Sequence, residues 1–134
     1  MKNSSYPIYW FFWFAICSVS YQHVQDNIRP NYNGENQIII YLLGIAPNFF
    51  PGIGLPAILY ILLPEIFKNN RDKKWLRENR HRTVNLISRT GLIGWEFIQM
   101  SGSLRFDWND ILWTLIGAGI FQLIWIFTPE RFKV

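Results

Sequence analysis

Charged residues are missing from three long stretches of this chain. Residues 3–25, 36–64 and 111–129 contain no Asp, Glu, Lys or Arg. A hydrocarbon layer of ~30 Å is crossed by about 20 mostly apolar residues in a helix. The three windows supply enough length, and a soluble chain of 134 residues has too small an interior to hide all of them. The pattern predicts an all-α membrane protein: one domain, a bundle of about four transmembrane helices at residues 6–21, 53–67, 83–100 and 111–127. The first is short and rich in Trp, Tyr and Phe, which suit the lipid interface as well as the core. It reads as a retained helix rather than a cleaved signal, because bulky Ile16 stands before Cys17 where a cleavage site wants a small residue. Residues 22–37 read as a polar loop, with turn signals at Arg29-Pro30-Asn31 and Asn33-Gly34.

The apolar stretch 38–64 is too long for one straight span, since its residues would extend ~40 Å as a helix. Pro47, Pro51 and Pro56 interrupt it. Each proline removes a backbone donor and disfavours helix in the residue before it. The expectation is a short lead-in over 38–46, a proline-rich break over 47–52, and a main span over 53–67.

The third span is the most polar. Asn85, Arg89, Leu92, Glu96 and Gln99 are spaced by four, three, four and three, so they share one helical face. Ionisable residues inside a membrane helix are costly and usually face the bundle interior. Thr90 and Gly94 stand on the other side at a spacing that permits close packing, so both faces are expected to be covered by protein. On the fourth span Asp110, Thr114, Gly117 and Phe121 form a stripe, and Gly117-Ala118-Gly119 lets another backbone come near. Glu96, Gln99, Arg105, Asp107 and Asp110 are therefore expected to converge at one end of the bundle. Two roles stay open: a ligand or catalytic site, or an ion pair of Arg105 with Glu96 or Asp110 that locks the turn. Asp107 or Asn109 also suits a helix cap. Asn85 and Arg89 lie at the opposite end, where an arginine can snorkel.

The net charge of +4 changes the picture only once it is located. Seven of the thirteen basic residues fall in 68–82. Basic clusters beside spans report topology, so this loop and both termini are placed in the cytoplasm, with no nucleic-acid partner. Lys68, Arg71, Lys73, Lys74, Arg77, Arg80 and Arg82 are candidate contacts for anionic lipid head groups. The lone Cys17 excludes an internal disulfide. His23 and His81 fall in predicted loops on opposite sides as surface residues, so no metal site is expected, and no cofactor motif is present.

The segments Gly94-Trp-Glu96-Phe-Ile-Gln99, Arg105-Phe-Asp107-Trp-Asn-Asp110 and Gly117-Ala-Gly119 resemble the C-terminal signature of the VanZ-like family of small bacterial membrane proteins. The resemblance covers about the last third of the chain. Thr114 stands where that family often has Asn, and Phe121 where a further Gly is common. The resemblance implies a cell-envelope membrane protein whose polar cluster recognises a lipid-linked or envelope component. Two other readings stand beside it. One is a membrane enzyme using Glu96 or Asp110 as general acid or base on a lipid head group. The other is a structural subunit whose polar stripe meets a membrane-protein partner.

Overall fold

The computed structural model describes residues 5–67, 73–100, 102 and 107–133, and among these it is helical with no strand. Helix α1 spans Ser5–His23 and runs on through a π-helical turn, Val24–Ile28, into the short α2, Arg29–Asn31. α3 spans Gln37–Ile66, α4 Lys73–Glu78, α5 Arg80–Met100 and α6 Trp108–Phe127, followed by a 3-10 turn at Glu130–Phe132. The long helices alternate in direction. One end of the bundle carries residues 24–36, the end of α5 and the start of α6, here the turn end. The other carries α4 and both extremities of the described chain, here the tail end. α3 is the hub and packs against α1, α5 and α6.

The expected loop over 22–37 is mostly helical. Side chains one turn apart carry the helix through it: Arg29 donates to Gln25 Oε1 at 3.1 Å and Asn31 donates to the Asn27 carbonyl at 2.7 Å. Only 32–36 are irregular, and Asn36 then caps α3 by accepting from the Ile38 and Ile39 amides at 3.0 and 3.4 Å. The expected basic loop is likewise partly helical, through α4 and the early start of α5 at Arg80.

The proline-rich break over 47–52 is overturned. α3 is one continuous helix of 30 residues through Pro47, Pro51, Pro56 and Pro64. Proline removes one intrahelical bond at a time, and packing outweighs that loss where the rest of the turn is held by neighbours. Here Gly52, Ile53, Gly54, Pro56 and Ala57 are all buried. A Cβ on Gly52 would lie 3.0 Å from Gly117 Cα, and one on Gly54 would lie 3.0 Å from Cys17 Cβ. These glycines let α3 touch α6 and α1 almost backbone to backbone. The expected close approach at Gly117 is found, while Gly119 of the same run faces open space. Thr90 and Gly94 of α5 are not covered: Thr90 is exposed and a Cβ on Gly94 would meet nothing within 4 Å.

The apolar core sits toward the tail end. Trp10, Ala57, Tyr60, Leu63, Val84 and Phe121 form it, with the Trp10 ring tilted against Tyr60 at 4.8 Å and against Phe121 at 5.5 Å. Residues after α6 close it from below. Phe132 stacks on Tyr9 at 4.6 Å, its carbonyl accepts from Trp10 Nε1 at 2.9 Å, and the Thr128 hydroxyl meets the Tyr9 hydroxyl at 3.0 Å. Outside this core the bundle is coated with apolar side chains, from Ile8 and Phe12 to Leu42, Leu62, Leu123 and Phe127. α3 and α6 are each long and apolar enough to cross a membrane.

Candidate functional site

Glu96 lies in the fifth turn of α5, near the turn end, and is 5 % exposed. The face predicted from its spacing is largely the inward one: Glu96 is buried and Asn85, Leu92 and Gln99 are half-buried, but Arg89 is exposed. Asp110 sits in the first turn of α6, half-buried, where a carboxylate is favoured by the helix dipole. Asp107 caps that helix and accepts from the Asn109 amide at 2.9 Å. Thr114, Gly117 and Phe121 continue the stripe below Asp110 and are buried, as the spacing predicts.

The structure brings three of the expected residues into one electrostatic group. Glu96 feels the charges of both Asp110 and Asp107. Two residues that the sequence did not nominate join them. The Asn48 side chain of α3 is within hydrogen-bonding reach of the Asp110 carboxylate, and Arg29 from α2 is close enough to act on it through its charge. Asn48 was the one strongly polar side chain inside 38–64, which was a usable signal. Arg29 carried none, because helical continuation of the turn after α1 was not foreseen. Gln99 is half-buried beside the group, and its carbonyl accepts from the Gly102 amide at 3.0 Å. Arg105, the expected ion-pair partner of Glu96 or Asp110, lies outside the described residues.

Chemically, this is a small, partly enclosed set of acceptors with one amide donor and one nearby guanidinium. It can accept hydrogen bonds from hydroxyl or amine groups and can exchange a proton with a group held against it. Among the described residues no three His, Cys, Asp or Glu side chains are placed to hold a metal ion.

The tail end differs from expectation at two residues. Arg80, expected to contact lipid head groups, is 7 % exposed and lies under the rings of Tyr6 and Tyr60, with its carbon 5.8 and 5.0 Å from their centroids. His81, expected in a surface loop, is buried and stacks on Trp125 at 3.5 Å and 14°. Burial, aided by the charges of Arg82 and Lys133, pushes its imidazole down to about 4. His23, in contrast, is exposed at the turn end. Lys74, Arg77 and Arg82 are exposed, Lys73 opens α4, and Lys68 and Arg71 lie outside the described residues.

Compared with known protein families, characterised proteins and solved structures, the chain matches none.

Proposed function

We propose that this is an integral membrane protein of the bacterial envelope, similar to the VanZ-like family, that recognises a lipid-linked or envelope component at its turn end. In this reading four spans, over 6–21, 53–67, 83–100 and 111–127, cross the bilayer. The tail end, with Lys74, Arg77 and Arg82 exposed, faces the cytoplasm together with both termini. The apolar coat of the bundle supports membrane residence, and α3 and α6 meet the requirement of length and hydropathy. α1 and α5 cross as members of the bundle, because their polar groups are turned largely inward or toward the ends.

The observation that carries the recognition site is the burial of Glu96 beside Asp110 and Asp107. Carboxylates gathered at one end of an apolar bundle repel one another, and such an arrangement is costly unless it serves a partner. The ligand chemistry that fits is a head group with hydroxyl or amine donors. The test is extraction in mild detergent followed by mass spectrometry of the retained lipids. Wild-type protein is expected to hold a lipid-linked species that Glu96→Gln and Asp110→Asn lose while remaining folded at the temperature of extraction. Equal retention by all three proteins would refute the site.

A second reading is favoured by the proximity of Glu96 and Asp110. One of the two carboxylates serves as general acid or base on a bound head group. A chemically altered head group, formed by wild-type vesicles and not by Glu96→Gln vesicles, separates catalysis from binding.

A further inference from the structure

A second polar recess lies in the other half of the bundle, away from Glu96. It is an open groove of about 410 Å³ between α5 and α6, lined by Arg82, Asn85, Arg89, Leu115, Gly119 and Gln122 among others. Asn85 pins the two helices together by donating to the Ala118 carbonyl at 3.0 Å. Its Oδ1 is buried and has no hydrogen-bond partner. Arg82 and Arg89 are both exposed, and neither is ion-paired among the described residues. No acidic side chain lines the groove. The floor is low because Gly119 presents no side chain, and a Cβ there would meet nothing within 4 Å.

These features define a charge and a shape. Arg82 and Arg89 stand about two turns apart, ~10 Å along α5. Their long stems let both guanidinium groups turn toward the space between them. Guanidinium pairs match phosphate oxygens and bind them through forked donors. Beside them the groove offers apolar Leu115, with exposed Leu112 one turn away on α6. The unpartnered Asn85 Oδ1 is an acceptor and calls for a hydroxyl or ammonium donor on the same molecule.

We propose that the α5–α6 groove binds one anionic phospholipid, its phosphate held by Arg82 and Arg89, a head-group hydroxyl donated to Asn85, and an acyl chain laid along Leu115 and Leu112. This rests on the reading of the chain as membrane-spanning, and it assigns a site in the leaflet opposite the Glu96 group. Arg89 lies deeper than Arg82, where a guanidinium without an anion is costly. The phosphate supplies that anion.

The experiment uses the full chain, purified in mild detergent and titrated by native mass spectrometry with phosphatidylglycerol, phosphatidylcholine or inorganic phosphate. Wild-type protein is expected to bind one phosphatidylglycerol in preference to phosphatidylcholine. The double substitution Arg82→Gln/Arg89→Gln is expected to weaken it by about tenfold or more, from about 1 kcal/mol per basic residue. Gly119→Leu keeps both charges and fills the groove, so it is expected to weaken binding too. Arg131→Gln, which removes an exposed charge outside the groove, is expected to bind as wild type. Undiminished binding by the arginine double variant, or displacement of the lipid by inorganic phosphate, overturns the site. A carbonate wash of the membranes separates the two levels. Release of the chain by carbonate overturns the spanning reading and the lipid site with it. Retention of the chain with undiminished lipid binding by the variants overturns the groove alone.

Discussion

Gly117→Ala tests how the bundle is held together. The added methyl would lie 2.6 Å from the Phe49 carbonyl oxygen, 3.0 Å from Gly52 Cα and 3.2 Å from the Gly52 carbonyl carbon. All three are backbone atoms of α3, so no side chain can swing aside. The helices must separate by several tenths of an ångström or more, and the buried contacts around Ile53 and Thr114 loosen with them. Overpacking of this kind costs ~1–3 kcal/mol. Alanine in place of a helical glycine returns ~0.5–1 kcal/mol through reduced backbone entropy. The net loss at Gly117 is therefore ~0–2.5 kcal/mol. Gly119 is the internal control, since its Cβ would meet nothing within 4 Å and only the gain applies. The two alanine variants should differ by ~1–3 kcal/mol, which is several degrees in melting temperature. Thermal unfolding in detergent, followed by size exclusion of the surviving protein, reads this directly. Gly117→Val should lose more than Gly117→Ala. If Gly117→Ala melts as high as Gly119→Ala, the backbone contact between α3 and α6 is not there.

Two other outcomes follow from the ends of the bundle. His81 is held neutral in the fold, down to about 4 from an ordinary 6.5. A depressed base means that the unfolded chain binds the proton first, so stability is complete above pH 6.5 and drains away as pH falls toward 4. The full loss is on the order of 3 kcal/mol at most, and His81→Gln should flatten that part of the pH–stability curve. An unchanged slope between pH 6.5 and 4 in the variant would remove His81 as the cause. At the turn end, Asn48→Leu and Asp110→Asn should each destabilise, with the double variant short of their sum by ~1 kcal/mol. Strict additivity in detergent melts would mean that the two side chains do not meet.

The helical class and the inward stripe of α6 were legible because both depend on local periodicity. Asp110, Thr114, Gly117 and Phe121 recur at helical spacing, and the three buried ones are those farthest from the helix end. The grouping of Glu96 with Asp107 and Asp110 was legible for the same reason. What escaped was whatever depends on a distant neighbour. The prolines of α3 read locally as a break, whereas the helix continues through them with Gly52 and Gly54 packed close against α6 and α1. Asn48 lies in the stretch that reads as a break, yet it reaches across from α3 to Asp110. Arg80 and His81 read as part of a solvated basic run. The aromatic rings that bury them belong to residues 6, 60 and 125, and no local pattern announces that meeting.

The closure of the core by residues 128–132 has a consequence for how the chain is made. Trp10 is synthesised 122 positions ahead of Phe132, whose carbonyl is its indole partner. Synthesis runs from the N-terminus, and long-range contacts form only after the intervening chain exists. Throughout vectorial synthesis α1 therefore carries an unsealed indole and an unstacked Tyr9 on its inward side. α3 can dock on α1 early through Gly54, but the floor beneath Trp10 stays open until residue 132 has emerged. The order of assembly is thus written into the fold, with α1 completed only by residues that follow α6.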